Sequence, residues 1–427
     1  MKKVGFITLG CKVNIYESNA LEQSLVEKGF SIIEPSSACD VFVINTCSVT
    51  NTADQKSRQM VSKVRKMNPN ALVCVVGCYV QTNENAAKLD ADIILGNSNK
   101  MELVDLIVNE LDKREKIIKV ENILRKKDYD EFEVSTYDHA RAFVKIEDGC
   151  NQFCSYCIIP YARGPIRSKK ADDVISELNN ITNMGFEEVV LAGIHTGKYN
   201  DNGLKLSDLI ERIIREVPLL KRLRVSSIEI NEVDDKFIDL LKNNKIMANH
   251  LHLPLQTGND KILSLMNRPY DTAYFLERVN KIREARPDIA LTTDVIVGFP
   301  YETEEDHQQT IEFIKQVNFA QLHVFPYSKR NNTKAALMPQ VNGLVKKMRA
   351  KDLINLSNEL EKEYYKKFIG ETVEVIFEQE YESDFIVGHS SNYLKVVAKG
   401  SLDFIKKNKL VKVLEFKDDV LLGEIIE

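Results

Sequence analysis

Short apolar runs alternate with amphipathic stretches in two parts of the 427-residue chain. Within residues 1–112 the runs are KVGFITL, VFVINT, LVCVV and DIIL, and six further runs follow between residues 142 and 328. Alternating strands and helices favour parallel sheets, because each crossover helix returns the chain to the edge from which the strand began. The sequence therefore predicts an α/β protein with an N-terminal open parallel sheet and, in the second series, a full or partial (β/α) barrel.

The remaining segments differ in composition from these two series. Residues 113–139 are densely charged and weakly periodic, which is typical of a linker. Residues 368–427 contain about five short strands with turn signals, and this pattern predicts a small OB-like β-barrel. We therefore expect domains at residues 1–112, 140–367 and 368–427, with the linker between the first two.

The net charge limits which partners the protein can bind, and the N-terminus indicates its cellular compartment. A net charge of −5 argues against bulk polyanion binding, so any nucleic acid must meet a local basic patch. Seven Lys and Arg lie between Lys329 and Lys351 with no acid among them, and the seven lysines of the C-terminal segment fall between Lys395 and Lys417. An ordinary solvated surface is the alternative for both patches. The N-terminus lacks the long apolar stretch of a signal peptide or membrane span, which indicates a cytoplasmic protein.

Cys150, Cys154 and Cys157, here called the motif triplet, have the spacing C-x-x-x-C-x-x-C and follow the first strand of the second series. Eight cysteines in a chain of cytoplasmic type indicate metal binding or catalysis rather than disulfides. A closed structural zinc site needs four ligands, whereas three thiolates on a four-iron cluster leave one iron open to a substrate. The motif triplet therefore favours a catalytic cluster, and a zinc-stabilised RNA-binding protein without catalysis is the alternative.

Three more cysteines, here called the strand-end triplet, occupy equivalent places in the N-terminal series. Cys11, Cys47 and Cys78 each follow a predicted strand, whereas Cys39 precedes one and Cys74 lies inside one. The carboxyl ends of parallel strands line one edge of a sheet, so the first three cysteines can converge there. Any one of them alone is best interpreted as a small buried hydrophobe, but the shared position predicts a second ligand set.

The motif triplet, with Tyr156 before its last cysteine, resembles the cluster motif of radical S-adenosylmethionine (SAM) enzymes. Over nearly its whole length the chain resembles the methylthiotransferase family, whose motifs it carries in order: LGCKVNIYES, NTCSVT, VVGCYVQ, CSYCIIPYARGPIRS, HLPLQTG, MNRPY, DVIVGFPYET and FPYSKRNNTKAA. The resemblance implies a partial radical SAM barrel, a C-terminal TRAM domain and two [4Fe-4S] clusters, one on each triplet. The second and fourth motifs look most like the MtaB-type branch, which acts on N6-threonylcarbamoyladenosine (t6A) in tRNA.

The resemblance also implies the chemistry and the partners. One SAM methylates a sulfur at the auxiliary cluster of the strand-end triplet, and a second SAM, at the motif triplet, yields the radical that activates C2 of the adenine. The implied product is 2-methylthio-t6A next to the anticodon of tRNA, with an electron donor such as a flavodoxin or ferredoxin. The alternatives within the family are isopentenyladenosine in tRNA and an aspartate of a ribosomal protein. Side-chain acid–base chemistry alone does not place sulfur on an aromatic C–H, so cofactors must carry the reaction.

Residues at the ends of the barrel strands are candidates for contacts with SAM. The resemblance implies a backbone contact from Gly193 to the SAM amino group, and a carboxylate such as Glu229 suits the vicinal hydroxyls of a ribose. A turn glycine, a solvated acid or a loop-orienting polar group is the alternative. The predicted cofactor-binding residues are Tyr156, Gly193, Ser227, Glu229, Gln256 and Asp294.

Three histidines and two arginines lie close to these motifs. We interpret His195, His252 and His323 as hydrogen-bonded polar residues and not as ligands. Arg163 and Arg167 follow the motif triplet, where they either bind phosphate or cover the cluster.

Overall fold

The computed structural model describes residues 1–111, 113, 115–132, 134 and 140–426. The elements of the N-terminal part are β1 (Lys3–Thr8), α1 (Lys12–Glu27), β2 (Ser31–Ile32), β3 (Val41–Thr46), α2 (Asn51–Met67), β4 (Leu72–Gly77), α3 (Cys78–Thr82), β5 (Ile93–Leu95), α4 (Leu103–Glu110) and β6 (Ile117–Lys119). All six strands pair in parallel, in the order β2-β1-β3-β4-β5-β6. The predicted open parallel sheet is confirmed.

Part of the segment expected to be a linker belongs to this sheet. β6 pairs with β5, and Ile117 lies opposite Ile93. A strand of three residues between charged neighbours is too short for its periodicity to be recognised. Residues 114, 133 and 135–139 of the expected linker, and residue 112 before it, lie outside the described residues.

The central part contains six parallel strands with helices between them. Its elements are β7 (Ala142–Lys145), β8 (Glu147–Asp148), α5 (Ile159–Arg163), β9 (Arg167–Ser168), α6 (Ala171–Asn183), β10 (Glu188–Ala192), β11 (Asn200–Asp201), β12 (Leu204–Lys205), α7 (Leu206–Glu216), β13 (Arg222–Val225), α8 (Asp235–Asn243), β14 (His250–His252), α9 (Asp260–Leu265), α10 (Thr272–Ala285), β15 (Ala290–Val297), α11 (Glu304–Val317), β16 (Gln321–Pro326) and α12 (Gly343–Lys366). The order is β7-β10-β13 and β14-β15-β16, and a parallel bridge from Leu223 to Met247 joins the two halves. This arc is the predicted partial barrel.

The C-terminal part is a closed five-stranded barrel with the order β17-β18-β19-β21-β20, as predicted. Its strands are β17 (Thr372–Glu382), β18 (Phe385–Ser390), β19 (Lys395–Lys399), β20 (Asn408–Lys417) and β21 (Val420–Ile425). Arg224 on β13 attaches this barrel to the central one, since its Nη2 donates to the carbonyl of Ser390 (2.6 Å). Among the described residues, no helix combines the length and the apolar character needed to cross a membrane.

A buried set of charges, here called the Glu17 cluster, joins the N-terminal sheet to the central barrel. Its members are Glu17, Lys100, Lys145, Asp148, Arg163 and Arg167. Glu17 on α1 accepts from Lys145 Nζ on β7 (2.9 Å) and from Arg163 Nη1 on α5 (2.6 Å). Burial alone would raise the pKa of Glu17, but Arg163, Lys100 and Lys145 hold it well below its usual value. The ionised carboxylate therefore fixes α1 against the first barrel strand.

Candidate active site

The motif triplet lies in the loop after β8, and local hydrogen bonds fix that loop. The amide of Cys150 donates to the carbonyl of Gly164 (3.0 Å), and the amide of Cys157 donates to that of Cys154 (3.0 Å). A left-handed backbone at Phe153 (φ 48°) turns the chain between the first two cysteines. Burial raises the pKa of Cys157 to about 12, and the thiols of Cys154 and Cys150 add to the shift. This short loop therefore offers three thiols, the ligand type that an iron–sulfur cluster needs.

Two basic side chains contact sulfur atoms of the motif triplet. His195 Nδ1 lies 3.3 Å from Cys150 Sγ, and its Nε2 lies 2.7 Å from Glu232 Oε1. Burial opposes the charged ring, but these two hydrogen bonds raise the pKa of His195 to about 10. Arg268 Nη1 donates to Cys154 Sγ (3.3 Å). Positive charge beside sulfur favours the thiolate, which is the form that binds metal.

The strand-end triplet gathers at one edge of the N-terminal sheet. Cys11 follows β1, Cys47 follows β3 directly, and Cys78 begins α3 directly after β4. These three strands are consecutive in the sheet. Burial raises the pKa of Cys47 to about 11, with contributions from the thiols of Cys78 and Cys11. The structure therefore brings together three cysteines that are far apart in sequence.

Positive charge is in excess beside the strand-end triplet. Lys100, Lys145, Arg163 and Arg167 contact only two carboxylates within the Glu17 cluster, those of Glu17 and Asp148. Burial opposes the charge of Arg163, but Glu17 and the thiols of Cys78 and Cys11 are among the groups that raise its pKa. An iron–sulfur cluster on three thiolates is an anion, so both the donor atoms and the surrounding charge fit such a group.

Two cavities between the triplets share Asp294 as a wall. The larger, of about 450 Å³, is lined by Cys11 on one side and by Gly193 and Ser227 of the barrel on the other. The smaller, of about 200 Å³, is lined by Cys157. Asp294 therefore lies between a cavity that reaches Cys11 and a cavity that reaches Cys157.

Five of the six predicted cofactor-binding residues line these cavities: Gly193, Ser227 and Asp294 the larger, and Tyr156, Gln256 and Asp294 the smaller. Glu229 lies beside them, where it pairs with the guanidinium of Arg268. A Cβ at Gly193 would lie 2.9 Å from Glu147 Oε2, so the approach of that carboxylate requires glycine. Gln256 has a left-handed backbone (φ 69°), a strained conformation of the kind found at functional sites.

The histidines and arginines near the motifs all have hydrogen-bond partners. His252 Nε2 lies 3.3 Å and His323 Nδ1 3.2 Å from Asp294 Oδ1. Burial opposes ionisation of Asp294, but both histidines hold its pKa well below its usual range. Arg163 and Arg167 are buried in the Glu17 cluster, which argues against phosphate binding, and their ion pairs are with Glu17 and Asp148 and not with the motif triplet. His195 differs from the other two histidines, because its partner is a cysteine of the motif triplet.

Sequence reasoning missed several residues of this site. Arg268 lies in the motif MNRPY, but nothing in the sequence connects it with Cys154. Glu147 accepts from the amides of Ile194 (2.9 Å) and His195 (2.7 Å), and burial raises its pKa to about 8. Its place two residues after the first barrel strand was the one available signal.

Comparisons with known proteins agree with this geometry. Residues 144–314 match the family described as "Radical SAM superfamily", and residues 3–96 match "Uncharacterized protein family UPF0004". A radical SAM domain implies SAM and a [4Fe-4S] cluster. Among solved structures, the radical SAM methyltransferase TsrM of Kitasatospora setae has a TM-score of 0.57 at 15% identity, covering 79% of this chain and 77% of its own. At that identity the likeness concerns the fold alone.

Relatives with known names match almost the full length. The threonylcarbamoyladenosine tRNA methylthiotransferase MtaB of Bacillus subtilis is 42% identical over 97% of this chain and 94% of its own length. The MtaB of Aquifex aeolicus is 37% identical over 96% of this chain and 100% of its own. A tRNA-2-methylthio-N(6)-dimethylallyladenosine synthase of Thermoanaerobacter is 32% identical over 98% of this chain and 92% of its own.

Proposed function

The chain belongs to the methylthiotransferase family of radical SAM enzymes, and on that premise we propose that it transfers a methylthio group to C2 of t6A in tRNA. Five relatives that are 34% to 42% identical carry the name of the t6A enzyme. Those named for dimethylallyladenosine are 32% to 33% identical. Both the names and the identities therefore favour t6A over the isopentenyl base.

The shared wall at Asp294 is the observation that carries the proposal. A methylthio transfer has to bring a radical centre and a sulfur donor to one carbon atom, which requires two cofactor sites around one substrate space. The cavities bordered by Cys157 and by Cys11, which share Asp294, support such an arrangement. A single structural zinc site would not need a second thiol triplet across a cavity.

The chain's own residues hold and orient the reactants. The motif triplet would bind the cluster that holds SAM, and the strand-end triplet would bind a second [4Fe-4S] cluster. When bound, these groups supply the radical and the methylated sulfur. Gly193, Ser227 and Asp294 would line the substrate space, and Tyr156 and Gln256 would border SAM.

Only part of the basic run at residues 329–351 supports binding of a tRNA partner. Arg330 pairs with Asp54 (2.8 Å) and Arg349 with Glu302 (2.8 Å), so both arginines are turned inward. Lys346 is half-buried and donates to the carbonyl of Tyr327 (3.2 Å), so four exposed lysines of the run remain as the surface that would follow a phosphate backbone. A modified base in an anticodon loop is single-stranded and can enter a cavity without melting a helix.

The remaining assignments follow from the family. An electron donor such as a flavodoxin or ferredoxin would reduce the cluster of the motif triplet, and the reaction would take place in the cytoplasm with tRNA. Residues 1–112, extended by β6, would form the auxiliary-cluster domain, the rest of residues 113–139 a linker, residues 140–367 the radical SAM domain and residues 368–427 a TRAM domain.

Nucleoside mass spectrometry of tRNA tests the proposal. We expect 2-methylthio-t6A to disappear from a strain without this gene and to return with the wild-type gene, but not with a Cys154→Ala copy. Loss of a methylthiolated isopentenyladenosine instead would assign the alternative substrate. Unchanged tRNA would exclude both.

A further inference from the structure

Lys12 brings an ammonium group into the larger cavity without an ion-pair partner. It is the first residue of α1, directly after Cys11, and its half-buried side chain forms part of the cavity wall. Among the described residues, no carboxylate oxygen lies within 4.0 Å of its Nζ, and no hydrogen bond engages that atom. Partial burial of an unpaired cation is unfavourable, and binding of an anion removes that cost.

The arginines near Lys12 are already occupied. Arg224 Nε donates to Glu188 Oε1 (2.5 Å), and its two terminal nitrogens donate to backbone carbonyls of Ser390 and Ser391. Arg141 pairs with Glu378 (2.9 Å). Arg224 lines the same cavity as Lys12. Of the lysine and arginine side chains that line the cavity, Lys12 is therefore the one whose donors are still available.

We propose that Lys12 binds the carboxylate of the threonyl group of t6A and so determines which modified adenosine the enzyme accepts. This inference rests on the proposed function and adds a specificity-determining residue to it. The substituent on N6 of t6A ends in a carboxylate, whereas an isopentenyl group is apolar and uncharged. An ammonium–carboxylate pair in a partly dehydrated cavity is stronger than in water. An apolar substituent would leave the ammonium buried and unpaired, so Lys12 also weakens the binding of isopentenyladenosine.

The position of Lys12 suits this role. Because it adjoins Cys11, a carboxylate held there keeps the base beside the strand-end triplet, where the sulfur donor would lie. Ser227 and His323 line the same cavity and can meet the polar groups of the substituent. A volume of about 450 Å³ is of the size that encloses a base with a small side chain.

Two matched RNA probes test the inference on the reconstituted enzyme without oxygen. One anticodon stem-loop carries t6A, and the other carries its threoninamide, in which an uncharged amide replaces the carboxylate. We expect the wild-type enzyme to bind the t6A hairpin about 10- to 100-fold more tightly by fluorescence anisotropy, the range of a charge-assisted hydrogen bond. Lys12→Gln should bind both hairpins with the same affinity, because only its affinity for the t6A hairpin falls. Lys12→Arg should keep most of the preference for the t6A hairpin.

Lys242→Gln is the matched control, since Lys242 is exposed on α8, away from the cavity. It should leave the preference unchanged. Iron content and visible absorption verify that each variant retains its clusters.

Three outcomes would overturn the inference. The wild-type enzyme binds both hairpins equally, Lys12→Gln keeps the preference, or Lys12→Gln weakens both hairpins to the same extent. The last result would assign Lys12 to the cluster or to a phosphate. The first comparison needs no variant, so it holds even if Lys12→Gln fails to fold. A wild-type enzyme that prefers the t6A hairpin but forms no 2-methylthio product would instead contradict the proposed function.

Discussion

The two cysteine triplets form similar ligand sets by opposite routes. The motif triplet occupies eight consecutive residues, and hydrogen bonds within its loop and to Met266 hold it in place. The strand-end triplet takes one cysteine from beyond the end of each of three strands, so it exists only once the sheet has formed. A local loop can be recognised as a motif, whereas a set assembled by a sheet can be recognised only through topology.

The surroundings of the triplets differ as well. His195 and Arg268 contact sulfur atoms of the motif triplet directly. The cations beside the strand-end triplet belong to the Glu17 cluster, which also joins two domains. We therefore expect changes near the motif triplet to alter reactivity, and changes near the strand-end triplet to alter stability as well.

Removing one cysteine from each triplet should separate their roles with the largest effect. Cys154→Ala should lower SAM cleavage at least about 1,000-fold, because two remaining ligands do not hold the cluster. Cys11→Ala should keep SAM cleavage but form no methylthio product. Iron should fall from about eight to about four per chain in either variant. Measurement of 5′-deoxyadenosine and of iron checks both, and SAM cleavage lost equally in the two variants would contradict separate roles.

Glu17→Gln should destabilise the protein by about 3 to 5 kcal/mol, because buried Lys100, Lys145 and Arg163 would lose a charged partner. Urea unfolding of the iron-free protein measures the change. Glu102→Gln is the control, since its pair with Lys119 (2.6 Å) is exposed and is worth less than about 1 kcal/mol. Equal effects of the two substitutions would contradict the structural role of the Glu17 cluster.

Arg268→Gln should make the reduction potential of the motif-triplet cluster more negative by tens of millivolts, on the order expected when a charged donor to sulfur is removed. The auxiliary cluster should keep its potential. Redox titration followed by electron paramagnetic resonance resolves the two clusters, and Arg268→Lys, which retains the charge, should shift the potential less. A shift confined to the auxiliary cluster would argue against the contact with Cys154.

The smallest effects should come from the two cysteines outside both triplets. Burial, with a contribution from Asp92, raises the pKa of Cys74 well above its usual value, so it remains a neutral thiol. Cys74→Ala should cost about 1 kcal/mol of stability for its lost packing, and Cys39→Ala a similar amount. Iron content and turnover should stay within about twofold of wild type. Lost iron in either variant would overturn this assignment of ligands.

The sequence was sufficient where a repeated pattern reveals the topology, and insufficient where side chains from separate domains meet. The β-branched runs revealed the parallel strands, and the shared strand-end position singled out Cys11, Cys47 and Cys78. The Glu17 cluster was not predictable, because some of its members come from the N-terminal domain, including α1, and the others from the barrel. For the same reason the run at residues 329–351 looked uniformly basic, although tertiary ion pairs turn Arg330 and Arg349 inward.

The contact of Arg163 with α1 has an evolutionary consequence. Arg163 closely follows the motif triplet, yet its guanidinium donates to Glu17 and Asn14 on the helix that begins beside Cys11. A recombination event that replaced either the N-terminal domain or the barrel with that of a distant protein would leave a buried charge unpaired in the hybrid. We therefore expect a chimera between relatives to be most stable when Asn14, Glu17 and Arg163 come from the same parent.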